Sequence, residues 1–339
     1  MKQRHFYLDL LRVFAISGVV LLHSINTLVI TPWLYETASW KIAIVLNEFS
    51  RAGVPLFLMI SGYLMLSDER SADFSSFYKK RLPRLLIPLF AWNVIYFIGD
   101  IIRGTDTSVG GFLAALVNNG TSYHMWFVYT LTGIYLITPF LKKLLSALTQ
   151  KQLILLILIV LFPTAIRPLI NITAPIYVHL FDPLLEGYLG FFLVGYLLGT
   201  VTLGKTARIC IMLGGIAGAA LGIVGNTLAC DGVTMNFPFN GGYTVNHYLL
   251  AASLFCTAKT LDEKVNIPVI VRKITAKLSN ISFGVYWIHP LVITLTLETV
   301  ILDCSPIKQS VLHFIIVLTV CTLVMLGISY IKPLKKLLM

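Results

Sequence analysis

Charged residues are scarce in this sequence, and acidic ones scarcest: Asp and Glu number 15 against 26 Lys and Arg, and the four types together make up 12% of the chain. A water-soluble domain carries about twice that share, so a globular protein facing water on all sides is excluded. Cysteine is sparse as well. The five (Cys210, Cys230, Cys256, Cys304 and Cys321) stand singly without a C-x-x-C pair, which argues against a disulfide framework and leaves them as small apolar side chains. No H-E-x-x-H, P-loop, G-x-G-x-x-G or G-x-S-x-G elbow occurs, so the usual zinc, nucleotide and serine-hydrolase signatures are missing. Internal repeats and low-complexity tracts are absent too.

What is present is apolar. Hydrophobic residues make up 57% of the chain and the mean hydropathy is +0.84. Ten stretches approach or exceed the roughly 20 residues that cross a bilayer: 7–29, 42–66, 85–102, 125–141, 152–168, 184–203, 207–228, 245–260, 281–301 and 310–331. The fold class expected is all-α, a polytopic integral membrane protein of about ten transmembrane helices. It forms one transmembrane domain over 1–339, without a separate soluble domain. The net charge of +11 would suggest nucleic acid in a soluble chain; here the positive-inside rule accounts for it. With the N-terminus inside, 20 basic residues fall on the cytoplasmic side and only Lys41, Arg103, Arg167 and Lys308 outside, so both termini are expected in the cytoplasm. The MKQR start followed by an apolar run imitates a signal peptide, but Asp9 and Arg12 interrupt it and no A-x-A site follows. An uncleaved anchor is expected.

The first span, RHFYLDLLRVFAISGVVLLHSIN over 4–26, carries Asp9, Arg12 and His23. A charge at the centre of a span costs about 2.5–3.5 kcal/mol on insertion scales, which makes a retained one a functional candidate. Arg12 and His23 are eleven positions apart, which at about 100° per residue returns to nearly the same face about 16 Å further along. The polar groups sort into two levels. His23, Glu48, Arg51 and His124 fall in the outer halves of spans, while Arg12, Ser61 and the run Lys79-Lys80-Arg81-x-x-Arg84 fall at the inner side. Each has a blander explanation. His23 would serve as a hydrogen-bonding group between helices, Glu48 and Arg51 as a structural (i, i+3) ion pair, and 79–84 as an ordinary positive-inside loop. His289 would pack or cap. His179 and Asp182 would be solvated, and His5, His247 and His313 have no polar neighbour in sequence to suggest a role. Gly214, Gly218 and Gly222 form a small-residue face for helix contact. Pro163 and Pro168 interrupt the fifth span, and Asn119 and Asn171 begin glycosylation sequons.

Arg12, ten intervening residues and His23 resemble the R-x10-H signature of the membrane acyltransferase-3 family. Asp9-Leu-Leu-Arg12 resembles its D-x-x-R opening, Pro55 to Tyr63 its second-helix segment ending in S-G-Y, and Lys80-Arg81-x-x-Arg84 its basic loop. Tyr123-His-Met-Trp-Phe127 with Tyr135 and Pro139, and Ser282-x-x-x-Tyr286-x-x-His289, resemble two further landmarks. The likeness extends in particular to the enterobacterial common antigen O-acetyltransferase branch. The resemblance implies an O-acyltransferase of the bacterial inner membrane, moving acetyl from cytoplasmic acetyl-CoA to a hydroxyl of a surface polysaccharide or its lipid-linked precursor. Acetyl-CoA is then a co-substrate, with no permanently bound cofactor, no metal and no nucleic acid. Lys80, Arg81, Arg84 and Ser61 would bind the donor, and Arg12 would orient the thioester. His23 would be the general base or carry the acetyl group. Glu48, Arg51, His124 and Trp126 would bind the acceptor or stabilise the oxyanion, with Asp9, Tyr63, Tyr286 and His289 in support. The rival classes are a multi-span transporter and a non-catalytic polysaccharide export partner. The absence of an inverted repeat and the ordered set of motifs weigh against the transporter; the export partner stays open as a third reading.

Overall fold

The computed structural model describes residues 4–105, 108–166, 169–170, 187–297 and 304–339. Lys2, Arg167, Pro168, the Asn171 sequon, His179 and Asp182 lie outside the described residues. Every regular element among the described residues is helical.

The first span forms α1 (Phe6–Ile30), 25 residues without an internal Pro. The second breaks in the middle, into α2 (Ala38–Arg51) and α3 (Gly53–Leu66). Pro55 supplies the reason: it has no N–H for the Arg51 carbonyl, and its ring crowds that carbonyl. The chain continues through α4 (Phe74–Ile102), a short α5 (Val109–Val117), α6 (Trp126–Ser146) and α7 (Gln150–Leu161). A wide helical turn at Phe162–Ile166 follows α7 where Pro163 interrupts the ladder. Then come α8 (Leu189–Thr200), α9 (Lys205–Ala229), α10 (Val245–Lys264), α11 (Val269–Leu297), α12 (Pro306–Ser329) and α13 (Lys332–Leu338).

Each of the ten expected spans overlaps a helix. Six are long and apolar enough to cross a membrane: Phe6–Ile30, Ala38–Leu66, Phe74–Ile102, Lys205–Ala229, Val269–Thr296 and Pro306–Ser329. The other four rest on helices that are shorter or more polar. One expectation is corrected. The basic run 79–84 is not a loop but the first half of α4. Asp73 accepts from the Ser76 N–H at 3.5 Å and starts that helix a full eleven residues before the apolar span. Residues 103–124, between the third and fourth expected spans, also contain α5.

α1 lies at the centre, packed against α2, α3, α10, α11 and α12. It runs parallel to α11: Asp9 meets Ser279 and, further along both helices, His23 meets His289. Large apolar side chains face outward on the peripheral helices, among them Phe90 and Ile102 on α4, Phe140 on α6, Leu155 on α7, Ile216 on α9 and Leu323 on α12. Belts of that kind suit lipid rather than water. α3 and α8 cross backbone to backbone, because Gly62 faces Phe192 and Gly195 faces Met59 with no Cβ between them. On α9 the close contact to α10 is made by Gly215 and Gly218, while at Gly214 a Cβ would meet Leu249 only at ordinary contact distance and Gly222 meets Glu48 instead.

Gly195→Ala should therefore lower the melting temperature of the detergent-solubilised protein, by about 1–3 kcal/mol of overpacking. Gly133→Ala, where nothing lies within 4 Å, should not. Equal melting of the two variants would contradict the close crossing.

Candidate active site

Two polar centres sit at opposite ends of α1. At the Arg12 end the organising group is Asp9, whose carboxylate is 3% exposed. It accepts from Arg4 Nε at 2.5 Å, Arg4 Nη2 at 3.0 Å, Arg12 Nη1 at 3.2 Å and Ser279 Oγ at 2.7 Å. The buried charge is thus paired and hydrogen-bonded on both oxygens, the condition under which such burial is tolerated. Arg12 also reaches Ser279 Oγ at 3.4 Å, which ties α1 to α11.

Arg12 keeps part of its guanidinium free and lines a cavity of about 280 Å³ with Ser61, Arg81, Arg84, Phe57, Phe127, Tyr135 and Ser282. Arg12, Ser61, Arg81 and Arg84, expected together from sequence, are brought together. Arg81 and Arg84 are three residues apart on one helix face, and neither is ion-paired or hydrogen-bonded among the described residues. Lys80 is not in this cavity; one step around α4, it faces a recess beside Asp68 and Arg70. Tyr63 is not there either. Two residues beyond Ser61, it turns to the opposite side of α3, where it meets His5 and Tyr7 at ring distances of 6.2 and 6.4 Å.

At the other end three imidazoles meet. The His23 ring stacks on that of His289 at 5.3 Å and meets the Tyr123 ring edge-on at 4.9 Å. His124, in the turn that precedes α6, lies 5.3 Å from His289. Its Nδ1 is 3.1 Å from Ser122 Oγ, and its backbone carbonyl accepts from the Tyr286 hydroxyl. His289 owes its setting to the residue after it. Pro290 has no N–H for the carbonyl four residues back, which is that of Tyr286. His289 Nδ1 takes that carbonyl at 2.7 Å. A carbonyl only accepts, so Nδ1 carries the proton and Nε2 is the bare nitrogen. Among the described residues, Nε2 of His289 and Nε2 of His124 are both buried without a hydrogen-bond partner. A Y-x-x-H-P sequence therefore presents an imidazole lone pair to the cluster.

Ring contacts bridge the two ends. Phe57 of the cavity touches Phe127 at 6.1 Å, Phe127 touches Tyr286 at 5.5 Å, and Tyr286 touches His124 at 5.2 Å and His289 at 6.0 Å. Trp126 lies to one side, against Tyr188 at 5.1 Å, which in turn meets Tyr243 at 5.6 Å.

Glu48 and Arg51 do not pair with each other or join the histidines. Glu48 Oε1 accepts from Asn246 Nδ2 at 2.8 Å, and Oε2 lies 3.9 Å from His247 Nε2. Arg51 donates to Asn47 Oδ1 at 2.8 Å and to the Asn240 carbonyl at 2.9 Å. The long guanidinium side chain reaches past the carboxylate to that carbonyl, and the shorter Glu side chain ends at α10. His247, which had no polar neighbour in sequence, is thereby part of a buried polar cluster. Asn246 lies 198 residues from Glu48, so no local spacing signals it. Ser279, 270 residues from Asp9, was missed for the same reason, whereas Arg4 lies only five residues from Asp9 and within local reach of it. Among the described residues no group of three or more His, Cys, Asp or Glu side chains is arranged to hold a metal.

A family model described as an acyltransferase domain matches residues 5–331. An amino-acid racemase of Enterococcus faecalis is 32% identical over 157 residues, which are 44% of this chain and 21% of that protein. A serine/alanine racemase of Enterococcus gallinarum is 32% identical over 142 residues, 40% of this chain and 19% of that protein. The chain spans about a fifth of the length of these curated relatives. No solved structure matches it.

Asp9→Asn keeps the side-chain shape but leaves Arg4 and Arg12 without their counter-charge. It should cost about 2–3 kcal/mol, a little below the range for a fully buried pair because Arg4 is half exposed. Thermal unfolding in detergent measures this, and a melting temperature equal to wild type would remove Asp9 as the organising group.

Proposed function

This chain belongs to the acyltransferase-3 family, and from that premise we propose that it is a multi-pass O-acetyltransferase of the bacterial inner membrane. It takes acetyl from cytoplasmic acetyl-CoA and transfers it to a hydroxyl of a cell-surface polysaccharide or its lipid-linked precursor. The observation that carries this reading is the placement of a cation-lined cavity and a histidine cluster at the two ends of one helix. Ten spans with both termini in the cytoplasm put the Arg12 end inside. The parallel course of the first and ninth expected spans is consistent with that count, since an odd number of crossings, here the seven of spans two to eight, must lie between two parallel spans.

CoA is polyanionic, and Arg81 and Arg84, which have no anionic partner among the described residues, suit its phosphates. The thin pantetheine arm extends from their cavity along Phe57, Phe127 and Tyr286 towards the histidines. His23 accepts the proton of the acceptor hydroxyl as that oxygen attacks the thioester carbonyl; the C–S bond breaks, and the proton passes to the departing thiolate. His289, its tautomer fixed by the Tyr286 carbonyl, holds the His23 ring by stacking. His124 flanks the same point. Trp126, Tyr188 and Tyr243 form an aromatic face for the sugar ring, beside Arg51. Glu48 serves the fold, through Asn246 and His247, rather than the acceptor. The Ser50-Arg51 and Tyr123-His124-Met125-Trp126-Phe127 sequences favour the enterobacterial common antigen branch.

One second reading is a multi-span permease, and the serine/alanine racemase name of one relative makes serine the solute to test. One experiment separates the two. Membranes holding wild type, His23→Ala or Arg12→Ala are given labelled acetyl-CoA, and separately labelled serine. Labelled glycan should form with wild type and fall at least about 100-fold with His23→Ala, the scale of a lost general base. Equal glycan labelling by all three would refute the catalytic assignment. Serine transport without acetylation would favour the second reading.

A further inference from the structure

A second cavity, of about 400 Å³, opens beside the Arg12 cavity and is lined by Arg84, Asn280, Lys332, Lys335, Lys336 and Met339. Arg84 and Met339 line both cavities, so the two adjoin. The lysines come from α13, where 332, 335 and 336 stand at i, i+3 and i+4 and so share one face. A seven-residue helix has little stability of its own. This one is held by packing on α4 and α12 and by the indole N–H of Trp92, which donates to the Leu338 carbonyl at 3.1 Å. The fold thus spends a tertiary anchor on setting three like charges side by side.

None of Lys332, Lys335, Lys336 or Arg84 forms an ion pair or a side-chain hydrogen bond among the described residues, and no Asp or Glu side chain lines the cavity. Several other cations have partners: Arg4 and Arg12 share Asp9, Arg208 pairs with Glu263, Arg272 with Asp262, and Lys142 with Glu69. Four unpartnered cations around one cavity favour an anionic occupant.

We propose that this cavity is the phosphate end of the donor site. It takes the 3′-phosphate of a CoA thioester on Lys332, Lys335 and Lys336 and shares the diphosphate, through Arg84, with Arg81 of the adjoining cavity, while the acyl-pantetheine arm passes Met339 into the cavity of Arg12 and Ser61. Met339 is unbranched and flexible, so its side chain can shift to let the arm through. The inference rests on the acyl-CoA reading above and extends it to the last helix. Phosphate groups also occur on phospholipid headgroups, and the experiment distinguishes the two sources.

Binding of acetyl-CoA, acetyl-3′-dephospho-CoA and S-acetylpantetheine is measured on the full chain in nanodiscs, with or without phosphatidylglycerol. The proteins are wild type, a triple variant (Lys332→Gln, Lys335→Gln, Lys336→Gln) and its Lys→Arg counterpart. In wild type the affinity should fall in the order acetyl-CoA, acetyl-3′-dephospho-CoA, S-acetylpantetheine. The Gln triple should weaken acetyl-CoA at least tenfold and leave S-acetylpantetheine within about twofold, as expected for lost charge-assisted contacts. The Arg triple should restore acetyl-CoA binding, which separates charge from folding. A Gln triple that binds acetyl-CoA like wild type would overturn the proposal, as would equal loss for all three thioesters. A Gln triple that changes only the response to phosphatidylglycerol would make this a lipid site and also overturn it. Failure of wild type to bind any thioester would instead remove the acyl-CoA reading on which it rests.

Discussion

The carboxylate of Asp9 is the constraint on which the rest of the arrangement depends. It is buried near one end of the central helix and accepts from two arginines and from Ser279 of α11. An unpaired charge in that position would cost several kcal/mol, so the carboxylate fixes where α11 can lie and which way Arg12 can point. Once α11 is parallel to α1, His289 arrives beside His23, and the missing N–H of Pro290 sets its ring. A pairing at one end of two helices thereby organises the histidine cluster at the other. The close backbone crossing of α3 and α8 supports this by holding α3 in place, so that Ser61 looks into the cavity beside Arg12.

Much of this was legible in the sequence because membrane helices obey few rules. Retained charges in apolar spans marked α1, and the eleven-residue spacing placed Arg12 and His23 at different depths on one face. The shared cavity of Arg12, Ser61, Arg81 and Arg84 followed from the same reckoning of depth. Helical phase was also written there, although depth alone overlooked it. Ser61 and Tyr63 are about 200° apart around α3 and Arg81 and Lys80 about 100° apart around α4, so one of each pair had to face elsewhere. The basic run itself has an i, i+3 pattern that suits a helix better than a loop.

Partner choice over long sequence distances was not legible. Glu48 had two conceivable partners nearby in sequence or by motif, Arg51 and His23, and took neither. Its hydrogen-bond donor is Asn246, and Arg51 is satisfied by a carbonyl of the 3-10 turn Pro238–Asn240. The difference is one of reach, and reach depends on how α2, α9 and α10 pack. The lysines of α13 are a parallel case. In sequence they look like an ordinary cytoplasmic tail, and only their docking beside Arg84 makes them part of a cavity.

The central claim is that one helix brings a cytoplasmic donor at Arg12 to an acceptor met at His23 on the other side. The most direct measurement uses sealed inverted membrane vesicles, in which the cytoplasmic face is outside. Labelled acetyl-CoA is added to the bath, with glycan acceptor either enclosed in the lumen or added to the same bath. Labelled glycan should appear when donor and acceptor are on opposite sides, and should be absent or far weaker when both are in the bath. Equal or greater labelling with both substrates on the cytoplasmic face would contradict the account.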